Sequence, residues 1–148
     1  MYPLQFLVPL GWIETVGPML PIAILTLAVG NIVTRLMSHR TQKQQVEQTG
    51  DDGLSRYPPH VFTTTGLVIL GLLFTVYRPT SGMILMLPVI GVFITDFFEY
   101  ESRAVEARND MTFERPKAGF AISLLVLVYA AYYALPFLYQ PVLDALLA

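Results

Sequence analysis

Apolar positions along this chain gather into long unbroken runs instead of alternating at strand or surface-helix spacing, and the polar residues fall in blocks between them. Val16–Thr34 and Ala118–Gln140 carry no charge, whereas Ser38–Arg56 and Asp96–Lys117 hold most of the charged residues. A helix needs about 20 mostly apolar residues to cross a hydrocarbon core of roughly 30 Å. The pattern predicts a single integral membrane domain over residues 1–148, an all-α helical bundle with four transmembrane spans at about 16–37, 61–77, 81–100 and 116–139. Polar loops are expected at 38–60 and 101–115.

Local signals refine these elements. Pro18 and Pro21 open the first span, where a missing N–H breaks no intrahelical bond. The preceding Leu4–Ile13 is apolar but too short to cross and is expected in the outer interface. Ser38–His60, rich in Gln and in turn formers (Gly50-Asp51-Asp52-Gly53, Pro58-Pro59), shows no apolar periodicity and predicts a solvated loop. Arg78-Pro79-Thr80-Ser81-Gly82 makes a tight connection, so the second and third spans should pack as a hairpin. Beyond it, Glu99 and Arg103 form an acid-then-base i,i+4 pair that carries the third helix into water, until Asn109-Asp110 ends it. Pro136 and Pro141 interrupt the tail after the fourth span.

Composition supports the same solvent. Apolar residues make up 54% of the chain and charged ones only 14%, against about 45–50% and about 25% in soluble domains. A net charge of −2 and the lack of any basic run exclude nucleic-acid binding. Cysteine is absent, which removes disulfides, thiolate metal sites and cysteine nucleophiles. The first Lys or Arg is Arg35, so the hydrophobic start lacks the basic opening of a secretory signal and is expected to stay on the mature protein.

Lys and Arg distribute unevenly about the expected spans. Arg35, Arg40, Lys43, Arg56, Arg103, Arg108, Arg115 and Lys117 lie toward the two long loops, and only Arg78 lies opposite. The positive-inside rule then puts those loops in the cytoplasm and both termini outside. Trp12, Tyr77, Tyr132, Tyr133, Phe137 and Tyr139 fall at the outer boundary, and Tyr57, Phe97, Phe98 and Tyr100 at the inner one.

Charges near the bilayer core are the first place to look for chemistry, because each costs several kcal/mol there unless paired or hydrated. Asp96 lies roughly 23 Å below Ser81 at about 1.5 Å per residue, near the inner edge, and Arg35 sits at a similar depth. The favoured reading is that both mark helix ends at head-group level; the sharper one is an intramembrane ion pair. Asn31, Arg35 and His39 recur along one helix, and Asp96, Glu99 and Arg103 along another. With His60 they form a candidate polar cluster at the inner rim. No facing Glu-x-x-His pairs occur, so neither a metal nor another cofactor is expected. The first and third spans also match at a shift of 61 residues, Pro18 on Pro79, Gly30 on Gly91, Thr34 on Thr95 and Arg35 on Asp96, which raises a parallel repeat of two hairpins.

Tyr2-Pro3-Leu4-Gln5-Phe6, Ser38-His39-Arg40, Asp51-Asp52-Gly53-Leu54-Ser55-Arg56, Asp96-Phe97-Phe98-Glu99, Val105-Glu106-Ala107-Arg108 and Glu114-Arg115-Pro116-Lys117 occur in an order that resembles a group of small, uncharacterised multi-pass membrane proteins of halophilic archaea. That resemblance implies membrane location and lends no catalytic residues. No nucleophile elbow, phosphate loop or dinucleotide fingerprint is present. The expectation is a non-enzymatic accessory or structural subunit of the cell membrane, associated with another membrane protein or with copies of itself. The competing expectation is a small oligomeric transporter or channel.

Overall fold

A computed structural model describes residues 10–113 and 117–147. Tyr2–Phe6, most of the expected interfacial segment Leu4–Ile13, the tripeptide Glu114-Arg115-Pro116 and the Phe137 side chain lie outside the described residues. The described residues are helical, with no strand: α1 (Leu10–Val16), α2 (Leu20–Thr49), α3 (Pro58–Tyr77), α4 (Pro79–Arg108), α5 (Lys117–Ala134) and α6 (Pro136–Leu147). Four helical runs are long and apolar enough to cross a membrane: Trp12–Thr49, Pro58–Tyr77, Pro79–Arg108 and Lys117–Ala134. The protein is a membrane-embedded all-α bundle.

Prolines set the helix starts. Pro18 lies in a 3₁₀ turn at Gly17–Met19 that leads into α2, Pro21 lies in the first turn of α2, and α3, α4 and α6 open on Pro58, Pro79 and Pro136. In each case the ring pre-sets the helical φ where no intrahelical donor is needed. Inside α4, Pro88 does not end the helix, which continues to Arg108.

The elements depart from expectation at two places. Ser38–Thr49 is not a loop: α2 continues through it and ends at Gly50, whose φ of +76° suits glycine. The segment's Gln, Lys, Arg and Glu residues are good helix formers, and its lack of an apolar stripe hid that. At the other end, α5 stops at Ala134 instead of near residue 139, because Pro136 cannot continue it, and α6 forms a separate short helix. The Tyr132 and Tyr139 rings stack across that break, and the Tyr139 hydroxyl donates to the Tyr132 carbonyl.

α2 packs against α3 and α5, and α4 packs against the same two helices. The bundle is therefore a closed up-down ring in which α2 and α4 face each other across the diagonal. Its outer half is apolar: Leu20, Ile24, Leu67, Phe74, Leu85, Val89 and Val126 are all buried. At the outer end the Tyr133 hydroxyl donates to Ser81 Oγ at 2.8 Å and the Tyr129 hydroxyl to the Ser81 carbonyl at 3.0 Å, tying α5 to the start of α4. These tyrosines are structural ties as well as boundary aromatics. Toward the inner end α2 outlasts α3: Thr34 lies level with His60, near the start of α3, so about 15 residues of α2, roughly 22 Å, extend beyond that level to Thr49.

A polar core in the inner half of the bundle

Asn31 is fully buried in α2, and a buried amide must find partners for two N–H groups and for its carbonyl oxygen. Its Nδ2 donates to Thr63 Oγ1 at 3.1 Å and to Thr64 Oγ1 at 2.9 Å on α3. Its Oδ1 accepts from Ser123 Oγ on α5 and from Arg35 Nη2, each at 3.3 Å. One side chain thus joins three helices with its hydrogen-bonding capacity filled.

One turn further in, Arg35 is only 1% exposed. Its Nη1 lies 2.6 Å from Asp96 Oδ1 and 2.6 Å from Glu99 Oε2, both on α4. The ion pair joins α2 to α4 across the diagonal, and with the bonds of Asn31 it connects all four spanning helices within two adjacent turns of α2. Arg35 and Asp96 do not mark helix ends, because α2 continues to Thr49 and α4 to Arg108. The arginine is enclosed, and the two carboxylates are only 13% and 14% exposed. Arg35 and Asp96, which the 61-residue shift matches, are partners across the bundle.

Asp96 has further partners. Thr64 Oγ1 donates to its Oδ2 at 2.5 Å, and His60 Nε2 lies 3.1 Å from the same oxygen. The other ring nitrogen, Nδ1, lies 2.9 Å from Thr34 Oγ1. Arg103 completes the set: its Nη1 donates to Gln42 Oε1 at 2.7 Å, and its Nη2 is 3.9 Å from Glu99 Oε2. Two arginines face two carboxylates, so the core is neutral when His60 is neutral. That balance is what allows charges to remain inside a membrane bundle.

Space for the guanidinium comes from Gly119 on α5, where a Cβ would collide with Glu99 Oε1 and Arg35 Nη1. Gln42 passes the network to the connection before α3 by donating to the Ser55 carbonyl at 3.0 Å.

Of the residues singled out from sequence, Asn31, Arg35, His60, Asp96, Glu99 and Arg103 meet in this core. The His39 ring sits 6.3 Å from that of Phe113, after α4. The inward face of α2 runs instead through Ser38 and Gln42, both buried. Sequence reasoning missed Thr63, Thr64, Ser123 and Gln42. The available signal was hydroxyls within apolar spans, where an unpaired polar group is expensive. Among the described residues no group of three or more His, Asp or Glu side chains is placed to hold a metal ion.

Between α2, α3 and α4 a cavity of about 250 Å³ borders the core, lined by Gln42, His60, Asp96, Glu99 and Arg103 on its polar side. Among the described residues, the outer half of the bundle interior is a buried apolar cluster that includes Ile24, Leu67, Phe74, Leu85 and Val89.

These features define a class: a small four-helix membrane protein closed by an internally neutralised polar core. Residues 2–147 match the family described as Domain of unknown function (DUF7313), and the chain belongs to that family. No curated protein and no solved structure matches it.

Proposed function

We propose that the protein is a non-enzymatic accessory subunit that anchors a membrane assembly and presents the inner ends of α2 and α4 to a partner. The observation that carries this reading is the ordered polar platform those ends form. α2 and α4 both run 30 residues, against 20 for α3 and 18 for α5. Arg103 and Gln42 join them, and Gln45 holds Ser55 through two further bonds of 3.1 Å each. Such a platform is a stable surface for association.

The proposed orientation puts this platform in the cytoplasm with both termini outside. Of the described inner-end cations, Arg40, Lys43, Arg56, Arg108 and Lys117 are exposed, whereas Arg35 and Arg103 belong to the core. The exposed set alone still outnumbers Arg78 at the opposite end. A tag on the C-terminus that is modified from the cytoplasmic side would overturn this orientation. The setting suggested by the halophilic resemblance suits a structure whose decisive ion pairs are buried, since salt screens exposed pairs.

The test is site-specific photo-crosslinking in the native membrane from positions Arg40, Glu101 and Arg108, followed by mass spectrometry of the products. The accessory reading expects one recurring heterologous partner, captured from the platform and not from lipid-facing Leu87. Crosslinks only to copies of this chain would refute it. The cavity beside the charged core favours a second reading, an oligomeric transporter. Solute flux in proteoliposomes that disappears with Asp96→Asn would support that reading.

A further inference from the structure

The cavity has a second wall that the polar core does not use. Tyr57, Phe93, Phe97 and Tyr100 line it, the last three on α4 beside Asp96 and Glu99. Aromatic faces attract a cation lying within about 6 Å of the ring centroid. A cation of the chain itself occupies that position: the Arg56 guanidinium carbon is 4.2 Å from the Tyr100 centroid and 5.8 Å from that of Phe97.

Arg56 differs from the other arginines at this cavity. It comes from the short connection before α3, it is exposed, and among the described residues it makes no ion pair. Arg103, in contrast, is held by Gln42, and Arg35 by two carboxylates. Among the described residues lining the cavity, Arg56 can therefore leave without breaking a charge pair.

We infer that this cavity binds a small organic monocation with an apolar body, a quaternary ammonium or an alkylguanidinium, which takes the aromatic face by displacing the tethered guanidinium of Arg56. The exchange preserves charge, since one cation replaces another while Arg35 and Arg103 remain opposite Asp96 and Glu99. It also suits hydration. A quaternary ammonium is weakly solvated, and the released Arg56 side chain is long enough to reach water. An anion would meet the negative faces of the rings and two nearby carboxylates. A cavity of about 250 Å³ admits a single-ring cation and is too small for a two-chain lipid. The inference stands apart from the accessory reading, because neither the platform nor a partner enters it.

The test is equilibrium dialysis of benzyltrimethylammonium against the full chain in a mild detergent, with protein-free micelles as reference and the uncharged isostere neopentylbenzene as control. Saturable binding is expected, and Arg56→Gln should tighten it roughly three- to tenfold by removing the competitor. In the Arg56→Gln background, Tyr100→Leu should abolish that gain and Tyr100→Phe should keep it. The isostere should gain nothing from Arg56→Gln. Three results would overturn the inference: no binding in any variant, an affinity that Arg56→Gln leaves unchanged or weakens, or an equal gain for the isostere. The last of these would mark the cavity as an apolar groove. Unchanged far-ultraviolet circular dichroism of each variant shows that it folds.

Discussion

Replacing Arg35 by methionine removes one cation and leaves two carboxylates, Asp96 and Glu99, facing each other inside the bundle. Arg35 is 1% exposed and sits 2.6 Å from an oxygen of each carboxylate. Breaking a buried pair by deleting one partner costs about 3–5 kcal/mol. The variant also deprives Asn31 Oδ1 of one of its two donors. Arg35→Met is therefore expected to lose about 3–5 kcal/mol of stability. Adding Asp96→Asn restores the balance, with Arg103 and Glu99 left as one cation and one carboxylate, 3.9 Å apart. The double variant should recover at least about 1.5 kcal/mol relative to Arg35→Met, a coupling well beyond the roughly 0.5 kcal/mol expected of independent sites. Unfolding by sodium dodecyl sulfate in mixed micelles, followed by circular dichroism, measures each corner of the cycle. Additive losses, or a cost below about 1 kcal/mol for Arg35→Met, would refute the reasoning.

Other perturbations test neighbouring parts of the core by the same unfolding assay. Gly119→Ala should destabilise by about 1–3 kcal/mol, since its Cβ collides with the Arg35–Glu99 pair; Gly30→Ala, whose Cβ would have Thr63 Cγ2 as its nearest neighbour at 3.7 Å, should cost little. Asn31→Leu should cost at least about 1–3 kcal/mol, because it leaves donors and acceptors on three helices without their shared amide, and Ser123→Ala should cost less because only one bond is lost. Raising the salt concentration toward 1 M shortens the Debye length to about 3 Å, yet the coupling between Arg35 and Asp96 should persist because the pair is enclosed. A coupling that vanishes at high salt would mean that water and ions reach it.

Much of the fold was legible in the sequence because a bilayer simplifies the problem: uncharged runs, proline starts and the Arg78-Pro79 turn define four helices and one tight hairpin. What remained hidden followed from the same simplification. Helices that are apolar on all sides carry no stripe to show which face turns inward, so Ser38 and Gln42 on the inward face of α2 could not be told from His39, which meets Phe113. Residue count along the helices puts Arg35 and Asp96 at a common level, and they meet there, but burial depends on rotation about the helix, and that is fixed by packing against α3 and α5. The missing space at Gly119 lies 84 residues along the chain from Arg35, beyond any local pattern. Gln42 was hidden differently: a polar helical end with no apolar periodicity resembles a solvated loop until its partner Arg103 is known.

The account rests on one guanidinium that bridges two carboxylates across the bundle diagonal. Solid-state nuclear magnetic resonance on proteoliposomes, with ¹⁵N in the Arg35 guanidinium and ¹³C in the side-chain carboxyl groups of Asp96 and Glu99, measures that arrangement directly. Contact-range dipolar coupling from Arg35 to both carboxyl carbons is predicted, because its Nη1 lies 2.6 Å from an oxygen of each. Coupling to neither carboxyl, or to only one of them, would contradict it.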